Sequence, residues 1–265
     1  MIKAILPKRL NFKTTDDLIR IGRKNDGGYL ISTADISASD YLVGLGISDD
    51  WSFEEHFKEQ KNVEVIAYDA SVGKKHFQKN IIKSLLRPWR VRRLAQSIKT
   101  VIKYQSFFNT KGVSHVEKFV GFDSIECLPR NDYFTHLSEI INKLDKKNVF
   151  FKIDVEGAEY RFLKTLLEYS EKISGCVIEF HDCDLNLDKI EAFVDSFDLN
   201  LVHVHVNNFA PICQRTKLPL VLELTFSKNG KNEKIPVMPH AFDMPNNPKV
   251  GEIEISFWDD NNRSQ

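Results

Sequence analysis

The stretch FFKIDVEGAEYRFL, residues 151–164, places three carboxylates, Asp154, Glu156 and Glu159, where a bulky apolar run gives way to a helical spacing. Strand alternation along FFKIDVEG puts Asp154 and Glu156 on one face at a strand's carboxyl end. Glu159 falls in the first turn of the following helix, where the macrodipole favours an anion. Helix-start chemistry therefore accounts for Glu159 but not for Asp154, whose burial without a partner would be costly. Two later segments offer partners. CVIEFHDCD sets Glu179 and His181 on one face with Asp182 at the tip, and LNLVHVHVNN sets His203 and His205 on one face ahead of Asn207 and Asn208. Adjacent strand ends would bring Asp154, His181, Asp182 and His205 toward one crevice. Such a crevice can take a proton from a hydroxyl, either directly through His181 or His205 or by way of a divalent metal that lowers the hydroxyl's pKa. For His203, packing within an alternating strand is the stronger account.

A second constellation precedes this one. Gly44-Leu45-Gly46 ends an apolar strand and lets a backbone approach a ligand closely. The next strand ends in AYDA, and Asp69 lies 23 residues after Gly46, near the offset of about 20 at which an acid accepts hydrogen bonds from a ribose. A dinucleotide site calls for a third glycine, G-x-G-x-x-G. Here the chain runs G-L-G-I-S-D-D-W, with Asp49 and Asp50 where a pyrophosphate would sit. Those acids repel phosphate but tolerate a cationic or zwitterionic ligand, so charge favours S-adenosylmethionine over NAD. Ser48 or Asp49 can also simply cap the following helix.

The elements that must position these groups follow from the periodicity. Seven apolar runs read as strands, at 40–47, 63–70, 116–125, 148–155, 175–182, 199–208 and 218–226, with helical spacing over 48–60, 157–170 and 187–197. Continuous apolar strands alternating with helices predict an α/β fold, a mostly parallel sheet covered on both faces. The last two runs have too short a connection for a crossover helix, so that pair is expected to be antiparallel. Ahead of the sheet, LIRIGRKNDGGYLI (18–31) reads as a β-hairpin turning at Asn25-Asp26-Gly27-Gly28. Arg23 and Asp26 at that turn could cap a cofactor or hold an anionic substrate.

The chain has 265 residues, with 37 Lys and Arg balanced by 37 Asp and Glu, so overall charge points to no partner. Four scattered cysteines without a C-x-x-C argue against a disulfide scaffold or structural zinc. No targeting signal or membrane span is read, and a cytoplasmic location is expected. One domain over 1–265 is read, with an N-terminal hairpin or cap (1–39), a basic insertion (71–111) and a C-terminal extension (227–265). The insertion carries eleven Lys and Arg and no acid between Ala70 and Val116. KNIIKSLL and VRRLAQSIKTVI within it have helical spacing, and RPWRVRR pairs Trp89 with arginines suited to phosphate. A nucleotide-linked sugar or glycan phosphate, a membrane surface met through 74–103, and a polyanionic polymer all fit such a segment. Nucleic acid fits less well, because the rest of the chain is net acidic and no RNA-binding module is recognised. A homo-oligomer is compatible with the sequence.

The chain resembles the FkbM-type family of S-adenosylmethionine-dependent methyltransferases. The carrying segments are RIGRKNDGGYLI (20–31), LVGLGISDDWSFEEHF (42–57), AYDAS (67–71), FKIDVEGAEYRFL (151–164) and VHVHVNNFAP (202–211). The resemblance implies a Rossmann-like methyltransferase sheet with a reversed last strand, and methyl transfer to a hydroxyl oxygen, often on sugars or natural products; a sugar of a capsule or lipopolysaccharide-type intermediate is the leading expectation. It implies that Gly44 and Gly46 line the cofactor, that Asp69 holds its ribose, and that Asp154, Glu156 and Glu159 form an acidic signature. The acid that precedes many methyltransferase glycine loops is missing, since Tyr41-Leu42-Val43 stand there. Glu54, Asp26 and Asp49 are the candidates to meet the methionine amine instead. By analogy with catechol-type methyltransferases, Asp154, His181 and Asp182 would hold a divalent metal, Mg or Mn. An NAD(P)-linked oxidoreductase and a non-catalytic polyanion-binding module are the competing readings.

Overall fold

The apolar runs at the centre of the sheet become strands because they are buried on both faces: β4 (Tyr41–Leu45), β9 (Val149–Ile153) and β10 (Ile173–Phe180) are buried throughout. The computed structural model describes residues 3–85, 91–121, 133–145, 148–231 and 236–258, apart from the side chain at position 74. In chain order the strands and helices are β1 (Lys3–Pro7), β2 (Leu18–Gly22), β3 (Gly28–Ser32), α1 (Thr33–Ala38), β4 (Tyr41–Leu45), α2 (Ser52–Gln60), β5 (Glu64–Tyr68), α3 (Lys74–Leu85), α4 (Val91–Phe108), β6 (Val113–Val116), β7 (Phe119–Gly121), β8 (Phe134–His136), α5 (Leu137–Lys143), β9 (Val149–Ile153), α6 (Leu163–Glu168), β10 (Ile173–Phe180), α7 (Cys183–Ser196), β11 (Asn200–Val206), β12 (Leu222–Ser227) and β13 (Glu254–Trp258).

Seven strands form the central sheet, in the order β11-β12-β10-β9-β4-β5-β6. The pairs β4–β5, β5–β6, β4–β9 and β9–β10 are parallel, while β12 runs antiparallel to both β10 and β11. From β4 the sheet grows outward through β5 and β6, and from β9 it grows the opposite way through β10, which places the ligand crevice of an open α/β sheet at the carboxyl ends of β4 and β9. This is the mostly parallel, Rossmann-like α/β sheet with a reversed last strand that the sequence predicted. The reversed strand does not sit at the edge. It is wedged between β10 and β11, so β11 takes the edge.

Several boundaries differ from the sequence reading. The third strand of the sheet is β6, which ends at Val116 where the run 116–125 was expected to begin. Phe119–Gly121 instead pairs with β8 in a small separate sheet, and 122–125 lie outside the described residues. The helix expected over 157–170 is broken into a 3-10 turn at Glu159–Arg161 and the short α6. The C-terminal extension supplies β13, which pairs parallel with β1 from the opposite end of the chain. The periodicity reading missed both of these strands.

One core face of the sheet packs Val149, Phe151 and Ile153 of β9 with Cys176, Ile178 and Phe180 of β10. The opposite face carries Phe150 and Val177 under α2 and the β2–β3 hairpin. The basic segment folds as α3 and α4, and their inner faces pack Phe77, Tyr104 and Phe108 against Trp51 in edge-on and tilted aromatic contacts. Arg87, Trp89 and Arg90 lie outside the described residues.

Candidate active site

Gly46, with φ +80°, opens the turn that leaves β4. A Cβ at this position would stand 1.7 Å from the carbonyl oxygen of Asp154, so only glycine lets the two strand ends meet. Asp69, at the end of β5 and 6 % exposed, fixes the same turn. Its Oδ2 accepts from the backbone N–H groups of Ile47 and Ser48 at 3.0 and 2.8 Å, and its Oδ1 accepts from the N–H and hydroxyl of Ser71 at 2.7 and 2.6 Å. Burial would raise this carboxyl's pKa, but the bonds from Ser71, Ser48 and Ile47 outweigh burial and hold it below its usual value. All four acceptor positions of Asp69 are engaged within the protein.

Between these two turns and β9–β10 lies a cavity of about 960 Å³. Gly46, Asp69, Asp154 and His181 all line it, so the glycine turn and the acid–histidine group share one space. Seven carboxylates (Asp26, Asp49, Asp50, Asp69, Asp154, Glu156 and Glu179) face it, with Arg23, Lys152 and Arg161 as the permanent cations. Arg23 is held 2.8 Å from Asp50. Tyr68, Phe119, Phe134 and Phe209 supply apolar wall.

Lys152 organises the floor. Buried in β9, it donates to the Gly46 carbonyl at 2.6 Å and pairs with Asp154 Oδ2 at 3.3 Å. Burial opposes its charge, yet Asp154, Glu54 and Glu179 together push its pKa up. It ties the glycine turn to Asp154 and was absent from the sequence-level candidates, although a lysine inside VFFKI is a visible anomaly. Glu54, on α2, is fully buried beneath it. Burial drives the Glu54 carboxyl up to about 7, against the attraction of Lys152. Among the described residues, neither carboxylate oxygen of Glu54 has a hydrogen-bond partner.

At the end of β10, Glu179 accepts from the Tyr29 hydroxyl and from Asn207 Nδ2, both at 2.9 Å. Burial, with the charges of Asp154 and Glu223, raises Glu179 to about 8. His181 lies beside it, with Nε2 3.8 Å from Glu179 Oε1 and 3.5 Å from Glu156 Oε2, and Nδ1 3.4 Å from Glu159 Oε1. Burial lowers the imidazole's pKa, but Glu159, Glu179 and Asp154 outweigh it and raise the ring to about 9. Glu159 is fully buried and accepts from the N–H groups of Gly157 and His181 at 2.9 and 2.6 Å. It is therefore a positioning residue for His181 as well as a helix-start acid. Because β9 ends at Ile153, Asp154 and Glu156 sit in a turn rather than on one strand face, and Glu156 takes φ +52° with an exposed side chain.

Four expected placements do not hold. His205 does not reach the cavity: it is buried in β11, with Nδ1 3.0 Å from Glu223 and Nε2 3.2 Å from Glu252. The inserted β12 separates β11 from β10, which moves His205 one strand spacing, about 5 Å, from the position expected for a neighbouring strand and leaves it about 10 Å from β10. Asp182 is exposed in a left-handed conformation at the start of α7, outside the cavity, because β10 stops at Phe180. Gly44 does not line the cavity; a Cβ there would lie 2.4 Å from Glu54 Oε1, so the glycine makes room for that carboxylate. Glu54, packed behind Gly44, does not face the cavity either. Asp26 and Asp49 do face it, and Asp26 accepts from Asn246 at 3.2 Å. His203, read as a packing residue, pairs with buried Asp243 at 3.0 Å.

Asp154, Glu156 and His181 offer ligand atoms that lie within 4.8 Å of one another, a two-carboxylate, one-imidazole set able to accept a divalent ion. Glu156 thus stands where Asp182 was expected. A metal there would compete with the proton that three carboxylates hold on His181.

No family model and no curated protein matches the chain. Solved structures do match loosely. A Streptococcus thermophilus rRNA methylase aligns at 9 % identity and TM-score 0.37, covering 74 % of this chain and 93 % of the other. A precorrin-6y C5,15-methyltransferase from Geobacter metallireducens aligns at 13 % and 0.38, covering 74 % and 85 %. The Methanococcus jannaschii fibrillarin pre-rRNA processing protein aligns at 10 % and 0.37, covering 82 % and 84 %. Likeness this distant does not fix the chemistry, which has to come from the cavity itself.

Proposed function

We propose that the chain is an S-adenosylmethionine-dependent O-methyltransferase acting on a hydroxyl of a sugar, nucleotide-activated or glycan-linked. The observation that carries this reading is the composition of the cavity. Asp49, Asp50, Asp69, Asp154 and Glu156 at or past the carboxyl ends of parallel strands, with Asp26 on the β2–β3 turn, outnumber the three permanent cations of the cavity, which suits a ligand bearing a sulfonium and an ammonium and disfavours a pyrophosphate. Asp49 and Asp50 face that cavity, which disfavours NAD. S-adenosylmethionine, when bound, supplies an electrophilic methyl group. Asp69 would receive a ribose hydroxyl in exchange for that of Ser71, and Asp26 or Asp49 would meet the ammonium.

The protein's own task is to position the acceptor and remove its proton. His181 would serve as that base, a reading supported by its contact with Glu159 and its proximity to Glu179, and Lys152 keeps Asp154 and the Gly46 turn in register. A base with a pKa near 9 must lose its proton before it can accept one. Turnover should therefore rise with pH toward about 9 and level off above it. Asp154, Glu156 and His181 would hold a divalent ion if one is used, and such an ion would lower the acceptor's pKa. A phosphate-bearing acceptor is supported by a polar groove of about 660 Å³ that carries Lys83 and Arg93 and shares Ser48, Asp49 and Ser71 with the cavity.

Calorimetry with S-adenosylmethionine, NAD and GDP, followed by labelled-methyl transfer to a panel of nucleotide sugars, tests the reading. Binding of S-adenosylmethionine with transfer to a sugar hydroxyl is expected. Binding of NAD alone would overturn the methyltransferase, and binding of polyanions with neither cofactor would favour the non-catalytic module. Full activity after exhaustive chelation would assign the proton to His181 without a metal.

A further inference from the structure

α4 is apolar on two opposite sides. Its inner side buries Tyr104 and Phe107, and its groove side carries Arg93, Gln96, Ser97 and Thr100. At 100° per residue, Val91, Ala95, Ile98 and Ile102 form a stripe on the side away from both. Along that stripe Val91 is 68 % exposed, Ile98 41 % and Ile102 61 %. On α3, which packs against α4, Ile82 and Leu85 are also exposed, at 57 % and 56 %. Scattered surface aliphatics are ordinary, but five large ones on one helical hairpin form a patch. Arg92, Lys99 and Lys103 run alongside the α4 stripe, and all three are exposed. The whole stretch between Ala70 and Val116 contains no acid.

We propose that the outer face of the α3–α4 hairpin docks on an anionic lipid surface, burying Ile82, Leu85, Val91, Ile98 and Ile102 while its lysines and arginines meet lipid phosphates. A bilayer interface offers an apolar layer and anionic headgroups within one helix diameter, which is what an outward aliphatic stripe flanked by cations requires. A second copy of the chain satisfies only half of this, because a two-fold contact would bring the same cationic helices together, although Lys99 and Lys103 also line a groove with Asp49, Asp50 and Glu55. A soluble polyanion would pair with the cations and leave the aliphatic stripe in water.

Full-length protein sedimented with vesicles of phosphatidylcholine, or of phosphatidylcholine mixed with phosphatidylglycerol, tests the proposal. Binding to the mixed vesicles and far weaker binding to phosphatidylcholine alone are expected. Both the Ile98→Ser/Ile102→Ser and the Lys99→Glu/Lys103→Glu variants should bind the mixed vesicles at least about tenfold more weakly. These positions are solvent-facing, and an unchanged melting temperature will show that the variants fold. No binding to the mixed vesicles would overturn the proposal. So would loss on charge reversal without loss on Ile98→Ser/Ile102→Ser, which would make the face a polyanion site. A dimer in sedimentation velocity that the serine variant dissolves would make it a contact between copies, and would overturn the proposal as well.

Discussion

Replacing Glu54 by Gln tests the buried charge beneath the candidate active site. Glu54 is fully enclosed, its carboxylate oxygens have no hydrogen-bond partner among the described residues, and Gly44 leaves room for it. Its pKa stands at about 7 in the fold, against a reference of 4.5. At about 1.4 kcal/mol for each tenfold in proton affinity, ionised Glu54 costs the fold about 3 kcal/mol with the attraction of Lys152 already included. The sign follows from the direction of the shift. The folded state holds its proton more tightly than the unfolded chain, so stability is highest below pH 4.5, declines as pH rises, and is fully reduced above about 7. Gln keeps the shape and removes the charge. Glu54→Gln should match the parent near pH 4.5 and exceed it by up to about 3 kcal/mol at pH 8, or about 5 °C in melting temperature for a chain of this length. Urea unfolding across that pH range gives the difference, and calorimetry with S-adenosylmethionine reports on the site. A variant less stable than the parent at pH 8 would show that Glu54 and Lys152 form a net stabilising pair, refuting the accounting. Loss of cofactor affinity without loss of stability would return Glu54 to the binding site.

Other substitutions separate the remaining roles. His181→Gln should lower turnover by at least about a hundredfold while leaving cofactor affinity within a few-fold, and should remove the rise in rate toward pH 9. Unchanged turnover would end its role as base. Ser71→Ala should keep or modestly tighten cofactor binding in calorimetry, because it frees Asp69 Oδ1, and weaker binding would show that Ser71 is itself a ligand. Gly46→Ala should abolish cofactor binding, since its Cβ must push the Asp154 carbonyl away, and a crystal structure of the variant would show the displaced turn. His205→Ala should destabilise the fold by about 3–5 kcal/mol at pH 7 in urea by leaving buried Glu223 and half-buried Glu252 without their cation. Burial opposes the His205 charge, but Glu223 and Glu252 raise it to about 10. That stabilisation is complete below pH 6.5 and fades as pH climbs through 10.

The sheet was legible because strands buried on both faces have no polar period to confuse them, and β4, β9 and β10 are buried throughout. The same signal located Gly46, Asp69, Asp154 and His181, each at or just past the carboxyl end of its strand. Alternation gives the face of a strand but not its slot in the sheet, and His205 was misplaced for that reason. Glu54 and Gly44 were misread because a helix position next to a glycine strand looks the same whether it faces ligand or core. The β1–β13 pairing joins segments some 250 residues apart, and β13 is only partly buried, so neither local pattern nor burial announced it.

The wedge position of β12 has a consequence for biogenesis. An interior slot of the sheet is reserved for a segment that leaves the ribosome after every other strand of that sheet. Until residues 222–227 arrive, β10 has an open flank and β11 has no neighbour to bond to. A chain stalled or cut before that point would therefore carry two sticky ridges, and so be marked for aggregation or proteolysis rather than partial function.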